Sequence, residues 1–257
     1  MLTPPEIARS LLAAGESKAR LPLGKMLLLA ILAGAYIALA GVGATAAAVT
    51  VESGSLAKLL SACVFPAGLS MVILAGSELF TGNCLMVMAL LERRITPAQL
   101  LCNWLTVYLG NAVGGAAVAA LAVYSHTASL FGDGLARSMV SIAESKAALG
   151  FGDAFLRGVL CNFLVCLAVW MAAASKRAEG KVIALFFPIL LFVLCGYEHC
   201  IANLYYLPAG AFAAAEYGME TTLTLAGCLE NLAAVTLGNL VGGAALGVGY
   251  RFAYLKE

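Results

Sequence analysis

The sequence predicts an all-α membrane protein of six transmembrane helices, arranged as two inverted three-helix repeats whose second and fifth helices are broken. Three observations predict it. The first is composition: hydrophobic residues make up 62% of the 257 residues and charged residues 11%, whereas soluble domains carry roughly 25% charged residues. The second is a phrase that occurs twice inside apolar sequence, Gly76-Ser77-Glu78-Leu79-Phe80-Thr81-Gly82-Asn83 and Gly196-Tyr197-Glu198-His199-Cys200-Ile201-Ala202-Asn203, with Gly, an acid and Asn at the same offsets 120 residues apart. The third is a Gly-rich pair, Leu109-Gly110-Asn111-Ala112-Val113-Gly114-Gly115-Ala116-Ala117 and Leu237-Gly238-Asn239-Leu240-Val241-Gly242-Gly243-Ala244-Ala245, 128 residues apart.

Six apolar stretches are long enough to cross a bilayer, which takes about 20 residues each. They are 26–49, 60–91, 97–124, 154–175, 181–208 and 229–250. Each half holds one plain span, one carrying the acidic phrase and one rich in Gly. Three is odd, so the second half enters the membrane upside down, and the special site of such a repeat is expected near the midplane. As one helix, 60–91 would run about 48 Å against a hydrocarbon core of about 30 Å. Gly76 and Gly82 bracket Glu78 to Thr81, so a loop there is economical, and Gly196 beside Glu198 and His199 predicts the same in the fifth span. Freed backbone groups are tolerated at that depth only where protein or a wet cavity satisfies them. Small residues at four-residue spacing, Gly110 with Gly114 and Gly238 with Gly242, predict close helix packing and no chemistry of their own.

The ends and the orientation follow from charge. Residues 1–25 read as a cytoplasmic amphipathic segment, helical over 3–20: Thr3 caps it, Pro4 suits the first turn and Glu6 completes a capping box. Ile7, Leu11 and Leu12 would face the membrane or the bundle. No cleavable signal peptide is expected, because the first apolar run follows a polar 25-residue segment. Residues 26–250 form one membrane domain, with repeats over 26–124 and 154–250, and 251–257 form a cytoplasmic tail. Lys and Arg divide eleven to four. Arg9, Lys18, Arg20, Lys25, Arg93, Arg94, Lys176, Arg177, Lys181, Arg251 and Lys256 fall on one side, and Lys58, Arg137, Lys146 and Arg157 on the other. Positive residues stay inside, so both termini are cytoplasmic, in a multi-pass protein of the cell inner membrane. The net charge of +1 excludes a basic nucleic-acid binder.

Ionisable groups at membrane depth are costly and point to function. His199 is the sharpest candidate; the other histidine, His126, falls in an external loop. A histidine held by core hydrogen bonds and a proton donor or switchable charge in a pore are both open. Glu198, and Glu78 in the other half, are read as supports that pin the broken backbone or orient a neighbour. Asn162 and Asn203 fall inside spans, where an amide needs a partner, and either lines a path or bridges helices. Lys146, in an external loop, reads by charge alone as an ordinary solvated lysine. The eight cysteines form no CxxC pair, no disulfide framework and no zinc-ligand spacing. No cofactor or metal is expected, and no fingerprint of an enzyme appears in a suitable context.

The two acidic phrases, with Leu160-Cys161-Asn162-Phe163-Leu164-Val165-Cys166-Leu167-Ala168-Val169-Trp170 between them, resemble the formate/nitrite transporter family over nearly the whole chain. The resemblance implies an aquaporin-like protomer, a homopentamer with one pore per subunit, and passage of small monovalent anions of weak acids: formate, nitrite, hydrosulfide, and in some members lactate or acetate. By match of motif, His199 would be the central pore histidine and Thr81 the loop threonine near it. Asn162 and Asn203 would line the path, and Lys146 would be the vestibule lysine. Leu69 and Phe192, with Val165, Leu79 and Phe80, would form apolar constrictions, and Lys18 falls where the family has a basic residue near the cytoplasmic mouth. Phe163 stands where Trp is frequent, Cys200 where Ser is frequent, and Leu204-Tyr205-Tyr206-Leu207 is less typical.

The expected function is transmembrane passage of a small weak-acid anion, formate first and nitrite or hydrosulfide as alternatives, with protonation on entering the apolar pore near His199. A bare ion in a low-dielectric medium costs on the order of tens of kcal/mol, the neutral acid far less. Two other classes remain. A metalloenzyme would use Glu78, Glu198 and His199 as ligands. A channel for neutral solutes would share the broken-helix plan without needing a vestibule lysine, and the Asn-Pro-Ala boxes expected of it are absent at both breaks.

Overall fold

The computed structural model describes residues 1–255; residues 256–257, including Lys256 of the tail, lie outside the described residues. The helices in chain order are α1 (Pro4–Ala19), α2 (Leu23–Ala48), α3 (Gly54–Val64), α4 (Pro66–Ala75), α5 (Phe80–Asn83), α6 (Val87–Leu91), α7 (Pro97–Tyr124), α8 (Gly134–Ala147), α9 (Phe151–Ala173), α10 (Ala178–Leu194), α11 (Cys200–Glu216) and α12 (Leu225–Tyr254). Short 3-10 turns at Cys84–Met86 and Thr127–Ser129 complete the order, and among the described residues there is no strand. Among the described residues, five helical runs are long and apolar enough to cross a membrane: Leu23–Ala48, Gly54–Ala75, Pro97–Tyr124, Phe151–Ala173 and Leu225–Tyr254.

Local chemistry explains the boundaries. At the start of α1 the Glu6 carboxylate accepts the Thr3 amide (2.7 Å) and hydroxyl (2.8 Å). These bonds, the backbone one first, hold the Glu6 carboxyl below the usual carboxylate range. α7 opens on a reciprocal cap: Gln99 Oε1 accepts the Thr96 amide at 2.9 Å and Thr96 Oγ1 accepts the Gln99 amide at 3.2 Å. Pro97 in the first turn needs no amide partner. α4 ends at Gly76 with φ +80°, and Gly196 after α10 has φ +69°, a left-handed conformation that only glycine adopts without steric cost.

α2 packs on α7, and α9 on α12. The approach is close because the contact residues are small. A Cβ at Gly114 would sit 2.0 Å from the Ile31 carbonyl oxygen, and one at Gly242 would sit 2.0 Å from that of Val159. On the outside, Leu101, Leu105, Leu109 and Val113 form an exposed stripe along α7. Such an apolar exterior suits lipid or another subunit.

Residues 134–147, assigned to an external loop from sequence, are the helix α8. Its Leu135, Ala136, Met139, Val140 and Ala143 are buried against α11. Their helical spacing is an amphipathic signal that the polar residues between them diluted. Lys146 consequently stands in the last turn of a helix.

Candidate functional site

The site is built where helices stop and restart. After Gly76 the chain is non-helical to Leu79 and α5 begins at Phe80; after Gly196 it is non-helical to His199 and α11 begins at Cys200. Both segments are held in the same way. The Glu78 amide donates to Leu29 O and the Glu198 amide to Arg157 O, each at 3.3 Å. Asn111 Nδ2 donates to Ala30 O (2.7 Å) and Glu78 O (2.9 Å), while its Oδ1 accepts the Phe80 amide (3.0 Å). Asn239 repeats this with Gly158 O (2.8 Å), Glu198 O (2.9 Å) and the Cys200 amide (2.9 Å). Buried backbone groups must be paired, and these two amides pair them.

The carboxylates face cations. Lys18 Nζ lies 2.7 Å from Glu78 Oε1 and 2.9 Å from Asn83 Oδ1. Lys146 Nζ lies 2.9 and 3.0 Å from the two oxygens of Glu198. Asn83 Nδ2 donates to Glu78 Oε2 (2.7 Å) and Asn103 Oδ1 (2.9 Å). Asn203 Nδ2 donates to Glu198 Oε2 (2.7 Å) and Asn231 Oδ1 (2.8 Å). The halves differ at the lysine. Lys146 spends itself on both carboxylate oxygens, so Asn203 Oδ1, unlike Asn83 Oδ1, has no hydrogen-bond partner.

The two segments meet at Thr81 Oγ1 and His199 Nε2, 2.9 Å apart. His199 Nδ1 accepts the Ala202 amide at 3.2 Å. An acceptor nitrogen carries no proton, so the ring is neutral, with its proton on Nε2 and donated to Thr81. Phe192 lies against the imidazole, ring centroids 5.8 Å apart.

Two cavities lie near this contact; His199 lines the larger one and Thr81 lines neither. The larger, about 870 Å³, is lined by His199, Phe192, Glu198, Lys146 and three further cations, Lys58, Arg137 and Arg157. The smaller, about 330 Å³, is lined by Lys18, Glu78, Leu69, Leu79 and Asn83. Leu69, Leu79, Phe80, Val165 and Phe192 are all buried in one apolar cluster. Phe80 packs edge-on to Trp104 and Tyr108, and neither it nor Val165 lines either of these two cavities. Asn162 and Asn203 are fully buried and line neither cavity. Asn162 Nδ2 donates to the carbonyls of Thr81 (3.2 Å) and Asn239 (2.7 Å), which ties α5 to α12 through α9. The ligand set of the metalloenzyme alternative does not converge, since Glu78 and Glu198 turn to different lysines and His199 to Thr81.

Sequence reasoning missed Asn103, Asn111, Asn231 and Asn239 as members of the site. The signal was present: the Asn pairs repeat at 128 residues, and so do Lys18 and Lys146.

A model of the formate/nitrite transporter family matches residues 5–253. The chain belongs to that family. It is 38% identical to a probable formate transporter of Methanothermobacter thermautotrophicus, covering 99% of this chain and 98% of the relative. It is 34% identical to the formate channel FocA of Escherichia coli K12, covering 100% and 96%. Among solved structures it is similar to a pentameric formate channel with formate bound, with TM-score 0.81 and 32% identity over 91% of this chain and 98% of that one. An FNT family ion channel gives TM-score 0.86 at 32% identity, over 96% and 98%. Family members are transporters and channels, and with its run of apolar helices the chain is a multi-pass membrane protein.

Proposed function

We propose that this protein passes a small monovalent weak-acid anion, formate first and nitrite or hydrosulfide as alternatives, through one pore per subunit of a homopentamer. The observation that carries the reading is the Thr81–His199 contact, 2.9 Å long, with His199 lining the larger of two cavities that each present a Lys–Glu pair. In this reading residues 26–250 are the channel domain. α3–α4 with α5–α6, and α10 with α11, are its second and fifth spans, broken at Gly76 and Gly196 in an inverted repeat. The α1 segment and the tail lie in the cytoplasm, and the protein sits in the cell inner membrane.

The hydrogen bonds support one route for the proton. Lys146 lowers the energy of the anion at the inner end of the larger cavity, using an ammonium hydrogen not directed at Glu198. Toward Phe192, Leu69 and Leu79 the dielectric falls, and burial favours the neutral acid. A neutral imidazole that gave up its Nε2 proton would become an imidazolate, and a doubly protonated ring would lose the Ala202 bond. The proton therefore comes from cavity water: the carboxylate takes it, leaving hydroxide to the bulk. His199 and Thr81 hold a fixed polar contact beside the neutral solute. Glu78 and Glu198 keep Lys18 and Lys146 in place.

The test is flux of formate, nitrite and hydrosulfide into proteoliposomes. The wild-type protein is expected to carry at least one of them faster than protein-free vesicles, and His199→Phe to change the rate while leaving its pH dependence in place. Absence of flux for all three overturns the reading.

A further inference from the structure

The two cavities differ in unpaired charge. The smaller holds Lys18 and Glu78, which pair with each other. The larger holds four cations and one acid. Its acid, Glu198, is taken up by Lys146 through both oxygens. Arg137 Nη2 donates to Gly132 O at 2.6 Å. Among the described residues, the side chains of Lys58 and Arg157 have no hydrogen-bond or ion-pair partner. Both are exposed to the cavity, and the Arg157 carbonyl accepts the Glu198 amide. The Arg157 backbone is thus fixed one hydrogen bond away from Glu198, with its guanidinium on a side chain that lines the same cavity.

We propose that Arg157, assisted by Lys58, is the first anion-capture site of the larger cavity, ahead of Lys146, and that it favours planar two-oxygen anions. This rests on the anion-passage reading above. A guanidinium offers parallel N–H groups at the spacing of two coplanar oxygens. Formate and nitrite match that fork; hydrosulfide has a single acceptor atom and does not. Lys58 supplies a point charge without shape preference. Lys146, already compensated by Glu198, receives the anion second. The mouth with Lys18 lacks such a group, so capture is asymmetric across the protein.

The experiment is a titration of 13C-formate by NMR against the full chain in nanodiscs, with hydrosulfide as competitor. Arg157→Gln is expected to weaken formate by about fivefold, the scale of one exposed charge pair. Arg157→Lys keeps the charge and loses the fork, so it should weaken formate by less than Arg157→Gln does, while hydrosulfide competes as in the wild-type protein. Lys58→Gln should weaken both anions together. Wild-type formate affinity in either Arg157 variant, equal loss of both anions in Arg157→Lys, or no formate binding to the wild-type protein would each overturn the proposal. Binding is read without flux: wild-type vesicles that pass no anion would sink the transport reading, while the titration still decides Arg157.

Discussion

Thr81 Oγ1 and His199 Nε2 stand 2.9 Å apart although 118 positions separate the residues in the chain. The bond joins the start of α5 to the residue before α11, so it exists only if both interruptions are packed against each other. Thr81→Val leaves a buried Nε2–H without an acceptor, at a cost of about 1–3 kcal/mol. A lower unfolding midpoint in detergent and impaired solute flux are expected, with Thr81→Ser restoring both. Wild-type behaviour of the valine variant would show the contact to be incidental.

Lys146 and Glu198 are both largely withdrawn from solvent, with side-chain exposures of 15% and 6%. Removing one member strands the other, which for buried pairs costs about 3–5 kcal/mol; cavity water should keep Lys146→Met near the lower end. Lys146→Met combined with Glu198→Gln should lose less than the two single losses added together. Additive losses in a double-mutant cycle would mean the pair is not coupled.

Glycine substitutions separate packing from propensity. Gly114→Ala and Gly242→Ala drive a methyl into a backbone carbonyl of the facing helix, and overpacking of this kind costs at least about 1–3 kcal/mol. Gly249→Ala meets nothing within 4 Å and should gain about 0.5–1 kcal/mol from helix propensity. Yield of folded protein and thermal midpoint report the order.

The start of α1 should respond to acid with a fixed sign. The folded pKa of Glu6 lies below the unfolded value. Its contribution is therefore complete above the ordinary carboxylate range and is lost as pH falls through the lowered folded value. Amide protection in α1, corrected for intrinsic rates, should fall in acid for the wild-type protein. In Glu6→Gln it should be weaker and flat with pH; a parallel acid response in the variant would contradict the assignment.

Much of this was legible in the chain because it is local. The span read as 97–124 is α7 as found, since Thr96, Pro97 and Gln99 announce its start. Gly76 and Gly196 announced the points where α4 and α10 end. What the chain hid was mostly long-range. By charge alone Lys18 reads as one of eleven cytoplasmic cations, and only the fold places Glu78, 60 positions on, beside it. Asn111 and Asn239 were submerged in glycine-rich helix, where small residues explain themselves by packing. α8 was lost because its buried face is interleaved with Arg137, Ser138, Ser141, Glu144 and Ser145. The unpaired state of Arg157 depends on where every neighbouring side chain turns, which no spacing conveys.

The central claim is that the solute crosses the apolar layer between the cavities as a neutral acid. Proteoliposomes loaded with a pH-sensitive dye and reporting membrane potential test it most directly on addition of formate. Lumenal acidification matching formate uptake, with no potential developed, is the expected result. Formate uptake that builds a potential and leaves the lumen unacidified would show the bare anion crossing and would contradict the account.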